Sequence, residues 1–243
     1  KEYNKIFDEV LSKESLLRGE SLNKFEEELK TYCGRKYAVA VNSGTDAILI
    51  SLAAMGVSNG DEVIVPAFSF VASATPIKLL GATPIFVDVD INSGLMDFSK
   101  IEEKITKKTK GIIVVDLFGE CPDYEKVLKI CKKYNIFLLE DGAQAFGSFY
   151  NNKKALTFGD VSTVSFDVSK VVFGISTAGA IVTDNKEIYE KASRIRGHGF
   201  NPEIREFELL GYNSNMSSLN AALLSFRMKK DKELLGKREF VKN

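Results

Sequence analysis

The chain predicts an α/β fold, a mainly parallel sheet with helices on both faces. Strand-like and helix-like segments alternate along almost its whole length. The strand-like segments, such as 37–41 and 111–116, are continuous apolar runs rather than alternating ones, which is what burial on both faces demands. Ser43, Phe68 and Phe70, Asp116, Asp141 and Ser165 all fall just beyond predicted strand ends. In open sheets of this kind that edge holds the ligand, so one shared site is expected there.

Taken in order, residues 3–13 (YNKIFDEVLSK) have helical apolar spacing and 18–20 read as a turn. Ser21 is placed to cap a helix reaching residue 32, with Phe25, Leu29 and Tyr32 on one face. Residues 37–41 form a strand, and Asn42, Ser43, Gly44 and Thr45 turn it into a helix over 46–55. Gly60 and Asp61 break the chain before a strand at 62–66, followed by a helix over 69–80 and a strand at 84–88. A charged helix is expected over 98–107, a strand over 111–116 and a helix over 124–134. The strand 136–139 runs out into Glu140 and Asp141, and 150–160 is a polar loop. A β-rich run over 161–166 leads to Lys170, and a small-residue turn, 174–179, feeds the strand 180–183. A last helix, 219–242, shows no stop signal, and the chain begins at Lys1 rather than Met; the expectation is a piece of a longer chain.

The 243 residues carry 33 basic and 33 acidic side chains, a balance that gives no basic footprint for nucleic acid. No apolar run reaches the roughly 18 residues of a membrane span, and no signal-peptide pattern is present, so a cytoplasmic setting is expected. Cys33, Cys121 and Cys131 lack CxxC spacing and read as plain thiols. His198 is the only histidine, which excludes a multi-histidine metal site; no metal is expected. Neither a GxSxG elbow nor a Walker loop occurs, and the missing GxGxxG fingerprint counts against an NAD-dependent sugar oxidoreductase.

The stretch Ser165 to Lys170 (SFDVSK) is where chemistry is expected. Lys170 follows a strand, and a lysine sheltered there can form a Schiff base with pyridoxal phosphate (PLP). Ser43, Gly44 and Thr45 open a helix, where backbone N–H groups and the helix dipole favour an anion; a plain helix cap needs no more than the same residues. Asp141 can pair with a protonated pyridine nitrogen, or serve as a cap or ion-pair partner. Gln144 can bond the ring hydroxyl, and Phe70 (or Phe68) can stack on the ring, although aromatic residues at such spacing are more often core.

Together the segments RGE…FEEELKTYCG, AVNSGTDAI, GDEVIVPAFSFVASATPI, GATPIFVDVD, LLEDGAQAFGS, FGDVSTVSFDVSK, AGAIVT, RGHGF and GYNSNMSSLNAALL resemble the DegT/StrS-type nucleotide-sugar aminotransferases over almost the entire chain. That resemblance implies the large domain of a fold-type I PLP transferase. It implies Lys170 as the Schiff-base lysine, Asp141 on the pyridine nitrogen and Gln144 on the ring hydroxyl. Gly44, Thr45 and Ser165 would hold the phosphate, with Phe70 stacked on the ring. Asn213 would reach the phosphate of a partner subunit, making the working unit a homodimer. The implied layout is an N-terminal segment over 1–20, a PLP-binding domain over 21–215, and over 216–243 the start of a connecting helix to a small C-terminal domain that the chain lacks. The implied reaction moves an amino group from L-glutamate to a nucleotide-linked keto sugar. Two other readings share the scaffold: a PLP-dependent sugar dehydratase, whose known members carry histidine in place of this lysine, and a non-catalytic protein that binds PLP or a sugar nucleotide. The chain departs from the family pattern at Asp116, where histidine is frequent, and at Asn215, where arginine is frequent, both expected near a substrate.

Overall fold

The computed structural model describes residues 2–230. Its centre is a seven-stranded sheet. In chain order the strands are β1 (Tyr37–Val41), β2 (Glu62–Pro66), β3 (Thr83–Val87), β4 (Thr109–Val115), β5 (Phe137–Asp141), then β8 (Val161–Ser165) and β9 (Gly179–Thr183), with a two-residue hairpin of β6 (Phe149–Tyr150) and β7 (Lys153–Lys154) between β5 and β8. The spatial order is β1-β9-β8-β5-β4-β2-β3. Strand β9 runs antiparallel to both β1 and β8, and the other pairings are parallel. The carboxyl ends of β1, β8, β5, β4 and β2 therefore share one edge.

Successive side chains on a strand face opposite ways, and that alternation sorts the core. On one face Ile64, Ile112, Val114 and Leu138 meet Val127 and Ile130 of α5 (Tyr124–Tyr134), while Ala38, Ala40 and Val164 meet Phe25 and Leu29 of α2 (Glu20–Cys33) and Leu224 of α7 (Ser218–Lys229). On the other face Val63, Ile113 and Leu139 meet Ile48 and Leu52 of α3 (Gly44–Ala54), and Val39 and Ile181 meet Ala192 and Ile195 of α6 (Lys186–Ile195). Helix α3 is buried nearly all round, because it lies across the middle of the sheet. An ion pair between Glu26 of α2 and Arg196 at the end of α6 links helices on the two faces across the edge strand β1, and both groups also bond Ala40 of β1. Burial pushes the Cys33 and Cys131 thiols up to about 12, so both act as apolar filler.

Several expected elements change form. Ser21 is not the α2 cap: Gly19 holds that position, and the Glu14 carboxylate instead accepts from the Ser21 backbone N–H and hydroxyl. The helix expected over 69–80 splits into a 3-10 turn, Val71–Ser73, and a short α4 (Thr75–Leu79), with Pro76 in the first turn of α4. The charged helix over 98–107 is two 3-10 turns, Phe98–Lys100 and Glu102–Lys104. The N-terminal α1 (Glu2–Lys13) packs with α7 through the rings of Tyr3 and Phe226, and residues 16–17 join 217–218 by backbone bonds. The expected helix 219–242 is described to Lys229, and residues 231–243 lie outside the described residues. Among the described residues no helix is long and apolar enough to cross a membrane, and no cluster of three or more His, Cys, Asp or Glu is placed to hold a metal ion.

Candidate active site

At the shared strand edge lies a cavity of about 360 Å³. Gly44, Thr45, Phe70, Asp141, Gln144, Ser165 and Lys170 all line it, although they come from four separate stretches of chain. Asn213 does not; it is exposed, and its backbone pairs with Gly197.

One end of the cavity is the start of α3. The Ser43 side chain caps the helix by accepting from Asp46 N–H at 3.0 Å, which leaves the Gly44 and Thr45 end facing the cavity. Two glycines make this end possible. A Cβ on Gly44 would stand 2.8 Å from the Ser165 Cβ, and one on Gly179 would stand 2.4 Å from the Ser43 carbonyl. Only bare backbone lets α3, β8 and β9 converge this closely. The result is a cup of first-turn amides and the hydroxyls of Thr45 and Ser165, the donor set an anion takes at a helix N-terminus.

The deep wall is Asp141, the last residue of β5 and 4 % exposed. Its Oδ2 accepts from the Ser73 hydroxyl at 2.8 Å and its Oδ1 from Ala143 N–H at 3.2 Å. Burial raises its pKa above the usual carboxylate range, while these two donors and the nearby Lys170 charge draw it back. The preceding Glu140 points to the opposite face. There it is fully buried and accepts from the N–H groups of Leu156, Phe158 and Gly159 and from the Ser162 hydroxyl. Of two adjacent acids, the pleat assigns one to the cavity and one to fastening the 155–160 loop.

Lys170 is half-buried on the remaining wall. A turn presents it: Asp167 accepts from both the N–H and the hydroxyl of Ser169, and its carbonyl accepts from Lys170 N–H at 2.9 Å. A second, smaller cavity of about 320 Å³, walled by Phe118, also reaches Lys170 and Gln144. The Gln144 Oε1 accepts from Phe118 N–H at 2.8 Å, which leaves its amide NH2 as the free end. Phe70 is 70 % exposed and lines the main cavity, so it is not core; Phe68 is not among the lining residues.

Two expected substrate-side positions lie elsewhere. Asp116 is fully buried and lines neither of these cavities; Tyr124 donates to its Oδ1, and its Oδ2 has no partner. Burial, first, and the neighbouring Glu140 charge raise its pKa well above the usual carboxylate range. Asn215 accepts from the Arg18 side chain at 3.4 Å, outside the cavity. His198 is exposed and absent from the cavity lining, so no Ser-His-Asp triad forms. Sequence reasoning passed over Ser73 and Ser69, which also line the cavity. The available signal was their i, i+4 spacing directly after a strand end.

The pyridoxal phosphate group fits this arrangement: an anion cup at one end, a buried carboxyl at the other, an exposed aromatic face and an amine between. Comparison with known proteins points the same way. The chain is 39% identical over 230 residues to the dTDP-3-amino-3,6-dideoxy-alpha-D-galactopyranose transaminase of Aneurinibacillus thermoaerophilus, covering 94% of this chain and 62% of that protein. It matches the Helicobacter pylori aminotransferase involved in the biosynthesis of pseudoaminic acid with a TM-score of 0.92 and 34% identity, over 98% of this chain and 65% of that one. It matches Bacillus subtilis NtdA, solved with bound cofactor PMP, with a TM-score of 0.88 and 37% identity, over 93% of this chain and 52% of that one. The chain thus spans between about half and two thirds of these relatives' lengths. The model of the DegT/DnrJ/EryC1/StrS aminotransferase family matches residues 1–243, and with the fold and site above the chain belongs to that family.

Proposed function

We propose that this chain forms the cofactor-binding part of a PLP-dependent aminotransferase, which moves an amino group from L-glutamate to a nucleotide-linked keto sugar. The observation that carries the reading is the convergence of Lys170, Asp141 and the Gly44–Ser165 cup on one cavity. Bound there, pyridoxal phosphate supplies an aldehyde that joins an amine and a ring that draws electron density from the donor's α carbon. Lys170 is the amine that holds the aldehyde at rest. Once displaced, its Nζ is the base that moves the proton from the donor's α carbon. Asp141 holds a proton at the ring nitrogen, and the Gln144 NH2 donates to the ring hydroxyl. Phe70 covers one ring face and sheds water from it. Glutamate and the sugar nucleotide are inferred from what the family's named members act on.

Asn213 is proposed to reach the phosphate of a partner subunit. Its exposure supports this, as does the run of exposed apolar residues beside it, Phe207 (72 %), Leu210 (96 %) and Tyr212 (36 %). The division at 20–21 and 215–216, leading into a further C-terminal domain, and a cytoplasmic setting belong to the same proposal. The test is a half-reaction. The PLP-loaded protein, given glutamate without a sugar, should release 2-oxoglutarate stoichiometrically, and then aminate a member of a keto-sugar nucleotide panel as read by mass spectrometry. Release of 2-oxoglutarate by Lys170→Ala at the wild-type rate would overturn the assignment.

A further inference from the structure

The relay that ends on Asp141 begins with two serines that no part of the reaction above uses. Ser73 is 2 % exposed, and its hydroxyl donates to Asp141 Oδ2 at 2.8 Å across 68 positions of sequence. The Ser69 hydroxyl lies 3.0 Å from the Ser73 hydroxyl. A serine in a helical turn commonly bonds the carbonyl three or four residues back. Thr75, two residues on, does so, bonding Val71 O at 3.0 Å. Ser73 instead spends its single proton on a buried acid. The Ser73 N–H to Phe70 O bond fixes its backbone in the 3-10 turn, so the Cβ from which the hydroxyl reaches Asp141 is held in place. A hydroxyl has one proton. If Ser73 gives it to Asp141, the Ser69 proton must point to Ser73, and both dipoles align toward the carboxylate.

We infer that Ser73, backed by Ser69, is a positioning residue that keeps Asp141 ionised and aimed, so that a proton shared with a ring nitrogen stays on the nitrogen. This rests on the PLP reading above. Without the Ser73 donor, a carboxyl with 4 % exposure keeps only the Ala143 N–H and becomes the more basic partner, drawing the shared proton toward itself. The ring then loses its positive charge, and with it most of its capacity to take up electrons. Ser69 acts one step further out, so its loss weakens the same effect.

The experiment loads wild type, Ser73→Ala, Ser73→Thr and Ser69→Ala with pyridoxal phosphate carrying 15N in the ring. It reads the nitrogen shift against pH, alongside the PLP dissociation constant. In wild type the nitrogen stays protonated through neutral pH. In Ser73→Ala it loses its proton at lower pH, and binding weakens roughly 10-fold, the usual loss for a hydrogen bond to a charged group. Ser73→Thr, which keeps the hydroxyl, restores both. Ser69→Ala shifts the titration in the same direction by less, and keeps the test open if Ser73→Ala does not fold. A purely structural serine would change stability and leave the nitrogen titration where it was. An unmoved titration in Ser73→Ala, or in Ser69→Ala should the former not fold, overturns this inference alone. Failure of the wild-type chain to bind PLP overturns the functional reading, and this inference with it.

Discussion

Asp141→Asn separates a carboxylate kept for chemistry from one kept for the fold, because the two roles predict opposite signs. Burial is the largest influence on Asp141 and raises its pKa in the folded chain. The folded state therefore holds a proton at pH values where the unfolded chain has released it. Stability falls as pH rises above the ordinary carboxylate range and continues to fall until the folded group ionises. Asparagine removes that penalty. It also loses no partner: its Oδ1 can take Ala143 N–H, and the Ser73 hydroxyl can turn to accept from the new NH2. The cofactor-free variant should thus be more stable than wild type at pH 8, with the gap closing toward pH 4. Each pKa unit removed is worth about 1.4 kcal/mol. Cofactor binding should move the other way. Losing a charged acceptor under a ring nitrogen costs about 1.5–3 kcal/mol, or roughly 10- to 150-fold in PLP affinity. Urea titrations at several pH values and a PLP binding isotherm measure the two. The reasoning fails if Asp141→Asn lowers stability at pH 8, if the gap is independent of pH, or if PLP affinity is unchanged.

Other substitutions probe the remaining walls. Phe70→Ala removes a ring that is 70 % exposed, so denaturation midpoints should stay within about 0.5 kcal/mol while PLP affinity drops several-fold. Gly44→Ala places a Cβ 2.8 Å from the Ser165 Cβ; the start of α3 and β8 must part, and phosphate competition for the cup should weaken even though alanine is the better helix former. Glu140→Gln turns an NH2 toward backbone donors that now share a carboxylate, so stability should fall by about 2–4 kcal/mol with the cavity chemistry less affected. Asp116→Asn keeps the shape and the Tyr124 acceptor of a group whose charged form burial already disfavours, so unlike Glu140→Gln it should change stability by less than about 1 kcal/mol at pH 7.

The sheet was legible because continuous apolar strands carry their burial in the sequence. Predicted β1 and β2 coincide with Tyr37–Val41 and Glu62–Pro66, and predicted α5 with Tyr124–Tyr134. The reversed direction of β9 was not legible, since a strand buried on both faces reads the same either way along the sheet. The helices over 69–80 and 98–107 failed for local reasons: Pro76 interrupts the first, and Asp97 pulls the second into a tight turn by accepting from Ser99 N–H. Seven of the eight candidate site residues line one cavity because each sits at, or within five residues after, the carboxyl end of a strand, a region the sequence marks. The i, i+4 spacing of Ser69 and Ser73 is legible, but it does not name Asp141, 68 residues away, as the partner of Ser73. Asp116 was misplaced for a similar reason. A strand end locates an acid at the correct edge but does not say which face it takes, and the Tyr124 hydroxyl holds this one inside.

The account stands on Lys170 being the amine that binds the cofactor aldehyde. Borohydride reduction of the PLP-loaded protein, followed by proteolysis and mass spectrometry, reads this directly. The account predicts a single phosphopyridoxyl adduct on the peptide carrying Lys170, lost in Lys170→Ala. An adduct on another lysine, or label spread across the surface lysines, would contradict it.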